Sequence, residues 1–530
     1  MKTRAARRRM EINLDELDGI LDRSTTAPLS KAESQKLKAA LHALADRFVH
    51  NRSTEKTKAV LPGRRPEASS PATEPPGNDK VAAACGHGRN GAAAFTDAIR
   101  VSIPHATLQP GHACPECGQG KVYRQKVPAT SLRIVGQAPF QTTVFEMERL
   151  RCNACGQVFT AAAAEAAAGE KYDVTAIAMI ALLKYGTGVP FKRLERLESQ
   201  LVMPLPAATQ WELVAAAAKL LWHVLEELIR QAAQGSILHN DDTSMRVLRI
   251  TREAGDNRTG IFTSGIVALV GAQDEAAILS EAKTPRRIAL FFTGTKHAGE
   301  NIADVLKWRA RELPAPIQMC DALARNAPKP AGVRTLLANC LAHGRRQIVE
   351  VADNFPEECR YVLETLGGVY HNDALAREQQ LSAEERLRFH QQHSKPLMQE
   401  LHRWMNEQFN EHKVEPNSAL GKAFSYLLNH WPKLTLFLSQ PGAPLDNNIV
   451  ERSLKKAILN RRNALFYKTL NGAHTGDLFM SLIHTCELNS ANPFHYLTEL
   501  LRHAKELKQR SSAWMPWNYR EALARLPRAA

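Results

Sequence analysis

A multidomain α/β fold is predicted from three observations. The chain has 530 residues, enough for about three or four folding units. Two Cys-x2-Cys pairs stand in its first third. Beyond Gly235, strand-like and helix-like segments follow one another in a set order before a long all-helical stretch. With 44% hydrophobic and 23% charged residues, the composition excludes a fibrous or wholly disordered chain. The best apolar run, Ile177 to Leu183, meets Lys184 well short of the roughly 18–20 residues a membrane span requires. Basic residues at the start (Lys2, Arg4, Arg7, Arg8, Arg9) lead into Glu11, Asp15 and Glu16 instead of an apolar segment, so no secretory signal is expected. The formal net charge of +15 points to a polyanionic partner. About half of the excess lies beyond Glu451, where thirteen Lys/Arg face five Asp/Glu.

Residues 1–60 read as an N-terminal helical region, with Leu14, Leu17 and Leu21 on one stripe and Leu37, Leu41, Leu44 and Phe48 on another. Ser30 and Glu33 make a capping-box pattern, and the short seam favours oligomerisation over packing on its own domain. Residues 61–80 hold five prolines and almost no apolar side chains, the composition of a disordered linker.

Residues 81–170 read as a zinc-binding, zinc-ribbon-like domain. Cys114 and Cys117 make one pair, Cys152 and Cys155 the other, each followed by a Gly that permits the tight turn. Four thiolates on two such turns suit tetrahedral Zn²⁺ in a structural site; a redox pair is the competing reading. Strands are expected between the pairs, at Ser131–Val135 and Thr142–Glu148. Residues 171–235 read as helical: Asp173 caps a helix over Val174–Tyr185, Gly186 and Gly188 end it, and Pro190 opens the next through Gln200. A turn with Pro204 and Pro206 leads into a long helix, Ala207–Ala233. With Lys192, Arg193 and Arg196 nearby, this region is a candidate helix-turn-helix; a purely structural helix pair is the alternative.

Strands are expected over Ser236–Ile250, Ile261–Val270 and Arg287–Thr293, then a helix from near Gly299 to about Arg311, then a strand Pro316–Cys320 ending at Asp321. Three strands, a helix and a strand is the order that opens a ribonuclease-H-like fold, in which carboxylates from neighbouring strands converge on divalent cations. Successive residues of a strand face opposite sides, so Asp241 and Asp242 cannot both reach one metal pair. Asp321, at a strand end, is free to enter a cleft. Glu451, on a helix starting within Asp446-Asn447-Asn448, is the candidate third acid, with Lys455 one turn on. Residues 236–344 and 441–470 thus make the core. Residues 345–440 make a helical insertion, with Leu397, Leu401, Trp404 and Met405 on one stripe and Leu420, Phe424, Leu427, Leu428 and Trp431 on another. Residues 471–530 make a basic helical tail. Trp514, Trp517 and Tyr519 of that tail are expected to pack instead of stacking on bases; elsewhere, His239 and His343 are expected to pack or hydrogen-bond, with a catalytic or ligating role as the alternative.

Several segments together resemble the IS66 family of insertion-sequence transposases, over roughly residues 80 to 500. They are Gly86-His87-Gly88-Arg89-Asn90-Gly91-Ala92, Pro110 to Cys117, His239-Asn240-Asp241-Asp242-Thr243, Asn339 to Arg346, Pro444 to Lys455, Asn460 to Phe466, and Ser481 to Asn489. The resemblance selects Asp241 over Asp242. It departs at Asp321-Ala322-Leu323, where the family usually has Asp-Gly-Tyr, at Asp242, where Glu is more common, and at Lys455, where Arg is usual.

The resemblance implies a DDE-type enzyme in which Asp241, Asp321 and Glu451 are catalytic and hold two Mg²⁺ for cutting DNA ends and joining the freed 3′-hydroxyl to target DNA. Arg345, Arg346, Arg452, Lys455, Arg461 and Arg462 are expected to contact DNA. The zinc domain and the 171–235 helices would bind element ends. Partners would then be element and target DNA, other copies of the chain on that DNA, and small accessory proteins encoded with the element. The place would be the bacterial cytoplasm, at the nucleoid and not at a membrane. Two rivals stay open: a transposase-derived, zinc-containing DNA binder without catalysis, and a metal-dependent nuclease that cuts without joining.

Overall fold

The computed structural model describes Ser30 and residues 99–526, apart from 127–128, 132, 135–136, 152, 154, 156, 163–168, 251–257, 272–284 and 329–333. The expected N-terminal helices, the proline-rich linker and the Gly86–Ala92 segment lie outside the described residues. The chain divides into two compact units, Arg65–Phe145 and the remainder.

Within the Arg65–Phe145 unit the first cysteine pair sits on a tight turn. The N–H of Gly118 donates to the Cys114 carbonyl at 2.9 Å and that of Cys114 to the Gly120 carbonyl at 2.7 Å, under a bridge between Ala113 and Lys121. Gly118 has φ +63°, a conformation that explains the glycine. The strands expected at Ser131–Val135 and Thr142–Glu148 are absent among the described residues. Ile134, Val144 and Phe145 are exposed there, so no buried face fixes a pairing register.

In the larger unit the first strands are β1 (Arg149–Arg151) and β2 (Val158–Thr160), antiparallel, with Cys155 in the turn between them. Three helices follow: α1 (Val174–Ala181), α2 (Phe191–Gln200) and α3 (Ala207–Ala232). Asp173 accepts from the N–H of Ala176 as the cap of α1. Between α1 and α2 the turn over Leu182–Gly186 widens to a π-helix. It carries Lys184, buried against Asn460 Oδ1 at 2.6 Å, and burial pulls its amine down to about 8.

Five strands build the central sheet. β3 (Ile237–Ser244) is its middle; β4 (Val247–Arg249) is a short offshoot. β5 (Phe262–Val270) runs antiparallel to β3, and β6 (Arg286–Gly294) antiparallel to β5. After helix α4 (Ala298–Leu306) come β7 (Ile317–Cys320), parallel to β3 on its other side, and β8 (Leu336–Asn339), parallel to β7. The order is β6-β5-β3-β7-β8. Helix α4 stops five residues before the expected Arg311. There Arg309 turns inward to donate to the carbonyls of Ala233, Gly235 and Pro314, which the helical path would not allow.

The insertion is helical throughout: α5 (Leu341–Val351), α6 (Pro356–Glu378), α7 (Ala383–His393), α8 (Lys395–Asn410), α9 (Ala419–Asn429) and the single turn α10 (Trp431–Leu434). It has no separate core. Leu363, Leu366, Leu401, Met405 and Phe424 join one buried cluster with Ile317 and Met319 of β7 and Ala338 of β8. A shift in the insertion is thereby transmitted to the strands that end at Asp321 and Cys340.

The chain then makes α11 (Asn448–Ala464), β9 (Tyr467–Thr469) beside β4, and α12 (Leu470–Leu488), followed by α13 (Pro493–Arg502), α14 (Ala504–Arg510) and α15 (Tyr519–Arg525). Trp514 and Tyr519 are buried, and the Arg286 guanidinium stacks on Trp517, so the terminal aromatics are part of the packed tail. Among the described residues no helix is long and apolar enough to cross a membrane.

Helix α12 closes the sheet's outer edge by a polar ladder. Asp477, Ser481, Thr485 and Asn489 accept from the backbone N–H groups of Thr293, Phe291, Ala289 and Arg287 of β6, at 2.7, 3.0, 3.1 and 3.1 Å. Four helical residues rise about 6 Å and two strand residues about 6.8 Å, so side chains four apart meet alternate rungs of an edge strand. The edge is saturated and unavailable for pairing with another chain.

Asp477 is the ladder's buried end. Burial pushes its carboxyl up to about 7 against the two hydrogen bonds from Thr293. The folded chain therefore binds one proton more than the unfolded chain between about pH 4 and 7, and stability from this group falls as pH rises through that window. Melting measured at about pH 5 and about pH 8 should show the wild type losing a few kcal/mol more than Asp477→Asn across it. Equal losses would mean that Asp477 is ionised throughout.

Candidate functional site

Three segments far apart in sequence bring carboxylates to the end of the central strand. Asp241 lies on β3, Asp321 follows β7 directly, and Glu451 stands in the first turn of α11. Buried Asn326 donates to Asp321 Oδ1 at 2.6 Å and to Asp241 Oδ1 at 3.3 Å, so one amide spans the two acids. Burial first, then the charges of Asp321 and Glu451, push the Asp241 carboxyl up to about 7, against a hydrogen bond from the Asp242 N–H. A metal-free protein thus holds anionic groups that repel one another in a poorly solvated place. That donor set of carboxylate oxygens is chemically suited to hard divalent cations.

Asp242 points to the other face. It accepts from Ser264 Oγ at 2.6 Å, from the Ala298 N–H at 3.1 Å and from His297 Nδ1 at 3.0 Å, capping α4. His239 is buried, with Nδ1 bonded to Asn447 Oδ1 at 3.0 Å, and burial lowers its pKa to about 4.

Asn447 explains the Asp446-Asn447-Asn448 segment. Its side chain also donates to the Asn240 carbonyl at 3.0 Å, and its backbone N–H donates to Cys340 Sγ at 3.2 Å. The N-terminus of α11 is thereby tied both to the strand of Asp241 and to the end of β8. Gly265, directly opposite Asp241 on β5, lets α11 come close: a Cβ there would lie 2.9 Å from Leu454 and 3.2 Å from Val450. Gly265→Val should push α11, and Glu451 with it, off the sheet. Strand-cleavage assays are expected to show a loss of about 10–100-fold, partly restored by Leu454→Ala in the same chain. Unchanged cleavage by Gly265→Val would show that this packing does not set the site.

At the Asp321-Ala322-Leu323 departure, Leu323 is half exposed, and its N–H donates to Asp321 Oδ1 at 3.1 Å. A phenol nevertheless stands there. Tyr426 of α9 is bonded at the Ala322 backbone, and burial together with the Asp321 charge raises its hydroxyl to about 12.

The basic residues divide. Arg346 Nη2 lies 3.9 Å from Glu451 Oε2, and Arg345 stands beside it, half-buried, on α5. Lys455 and Arg462 are exposed. Arg452 lines a cavity of about 530 Å³ with Arg287, Arg377, Asp446 and His484. Arg461 is engaged within the fold, donating to Thr243 Oγ1 at 3.2 Å and to the Ser244 carbonyl and hydroxyl. His343, expected to be an ordinary packed histidine, instead faces the site, its Nδ1 3.6 Å from Glu451 Oε1.

Of the cysteines, Cys114 and Cys117 lie in one unit and Cys155 in the other, while Cys152 lies outside the described residues. The N–H groups of Gly120 and Gln119 and the Cys114 thiol hold the Cys117 thiol below its ordinary pKa, an environment that favours the thiolate a zinc ion requires.

Two proteins of Sinorhizobium fredii (strain NBRC 101917 / NGR234), both named only as uncharacterized, y4jD and y4hP, are 33% identical to the chain over 202 and 199 residues. The alignments cover 37% and 35% of this chain and 39% and 36% of those proteins, so the chain spans about two-fifths of the length of the curated relatives it matches. A family model described as "Transposase IS66 family" matches residues 170–475, which include Asp241, Asp321 and Glu451. That match covers more than half of the 530 residues, and the chain belongs to the IS66 family of transposases.

Proposed function

We propose that the chain is a DDE-type DNA transposase with a ribonuclease-H-like core, in which Asp241, Asp321 and Glu451 hold a pair of Mg²⁺ ions. The observation that carries this reading is that three acids, from β3, the end of β7 and α11, lie near enough for Asp241 to feel the charges of the other two. The order β6-β5-β3-β7-β8, with the first three strands antiparallel and the last two parallel to the middle one, supports the ribonuclease-H-like assignment.

Bound Mg²⁺ would supply Lewis acidity, lowering the pKa of an attacking water or 3′-hydroxyl and neutralising charge on the leaving oxygen. In the first step a water oxygen bonds to phosphorus, the 3′-oxygen of the element end leaves, and it takes up a proton. In the second, that 3′-hydroxyl loses its proton, bonds to a target phosphorus, and displaces the target strand's 3′-oxygen. No bond to the protein forms. Asn326 and Asn447 keep the acids in place. Arg345, Arg346, Arg452, Lys455 and Arg462 are offered to backbone phosphates, and Arg461 holds the end of β3. The cysteine-paired region and the α1–α3 helices would bind the ends.

Incubating the purified chain with DNA carrying its own flanking inverted repeats and Mg²⁺, and mapping both cuts and joined products, tests the reading. Cuts with joining support it. Cuts without joining leave a nuclease, and salt-sensitive binding without cuts leaves a DNA-binding protein alone.

A further inference from the structure

Helices α5 and α11 start side by side. The Leu341 N–H donates to the Leu445 carbonyl at 3.0 Å, and the Asn447 N–H donates to the sulfur of buried Cys340, so the two N-termini are locked together. His343 stands in the first turn of α5 and Glu451 in the first turn of α11, and locking the starts makes the two side chains face each other. The facing atoms are His343 Nδ1 and Glu451 Oε1, 3.6 Å apart. Both are buried, and neither has a hydrogen-bond partner. Two such orphaned atoms at a separation too long for a hydrogen bond are unusual.

A cation between them would satisfy both. Metal–nitrogen and metal–oxygen bonds of about 2.0–2.2 Å at a tetrahedral angle put the donor atoms about 3.4 Å apart, close to the separation observed. The ligand atoms of Cys340, His343 and Glu451 lie within 4.8 Å of one another, and the sulfur already accepts the Asn447 N–H. Glu451 Oε2 faces Arg346, which leaves Oε1 to the His343 side.

We propose that His343 is a nitrogen ligand to the cation held by Glu451, and that this position takes a borderline transition-metal dication in preference to Mg²⁺. Imidazole suits Zn²⁺, Fe²⁺ or Ni²⁺, whereas an all-oxygen set suits Mg²⁺, Ca²⁺ and Mn²⁺; Mn²⁺ serves as the probe because it is paramagnetic and a nitrogen ligand on it is read directly. The inference rests on the acid site of the proposed function, and Mn²⁺ added to the full chain is the probe that separates the two. Pulsed electron paramagnetic resonance should show ¹⁴N coupling to bound Mn²⁺ in the wild type. His343→Ala should remove it and weaken Mn²⁺ binding by about tenfold or more, with Mg²⁺ binding altered less. Bound Mn²⁺ without ¹⁴N coupling in the wild type, lost in Asp241→Asn, would overturn the His343 assignment and keep the acid site. Mn²⁺ binding unaltered by both Asp241→Asn and Glu451→Gln would overturn the acid site itself. The wild-type spectrum decides the assignment even if His343→Ala folds poorly.

Discussion

Asp241→Asn is expected to lower Mg²⁺-dependent cutting of element-end DNA by about 10³-fold or more, roughly 4 kcal/mol of transition-state stabilisation. The amide keeps the shape of the carboxylate but removes the charge that would bind the cations. The same substitution should raise the stability of the metal-free protein. The Asp241 carboxyl is held near 7 by burial and by the charges of Asp321 and Glu451, so stability falls as pH rises from about 4 to 7 and stays lowered above that, and the amide removes the penalty. Activity and stability therefore move in opposite directions, a signature that a merely structural aspartate would not give. Mg²⁺ should also raise the melting temperature of the wild type, by preferential binding to the folded chain, and raise it less in the variant. Asp321→Asn and Glu451→Gln should each cost about as much, and a double variant little more, because a metal site fails as a unit. Thermal melts with and without Mg²⁺, beside the cleavage assay, check all of this. Wild-type cleavage by Asp241→Asn would end the catalytic reading.

The site's legibility in the sequence followed how local its causes are. Asp321 could be placed because Pro316–Cys320 ends there, and the Asp173 cap because a cap acts within one turn. The choice between Asp241 and Asp242 needed a register that alternation alone does not supply; the capping role of Asp242 depends on His297 and Ser264, which are remote in sequence. Strand β8 was not expected, since Leu-Leu-Ala-Asn has no alternation and becomes a strand only by pairing with β7. Asn326 and Gly265 carry no local signal at all; each matters through a partner from another segment. Sequence alone favours a packed or hydrogen-bonded His343, and its Cys340-x2-His343 spacing is the one cue to anything else. The polar spacing of Asp477, Ser481, Thr485 and Asn489, every fourth residue along the helix to its cap, is visible too. Its meaning required the edge strand it covers.

Removing the carboxylate of Asp373 should cost about 3 kcal/mol, because it would leave the partly buried Arg386 guanidinium and the buried His390 ring without their acceptor. Its side chain is only 4% exposed and joins two helices: Arg377 from its own α6, Arg386 Nη2 at 2.6 Å and His390 Nε2 at 3.3 Å from α7. His390 in turn bonds Ser394 Oγ at 2.9 Å, where α8 begins. Burial alone would raise the Asp373 carboxyl. The His390 hydrogen bond and the Arg386 and Arg377 charges outweigh it and hold the group well below the usual carboxylate range. A depressed pKa contributes stability above the unfolded value and loses it as pH falls through the acid range, so the wild type should approach Asp373→Asn in stability only in acid. Urea denaturation of Asp373→Ala near neutral pH measures the cost. The insertion shares its core with β7 and β8, so loosening α6–α8 must also loosen Asp321 and His343. DNA cutting by Asp373→Ala should then fall with the folded fraction and return on cooling, whereas the loss in Asp241→Asn should persist at every temperature. A cold-resistant loss in Asp373→Ala would place that residue in the chemistry and not in the frame.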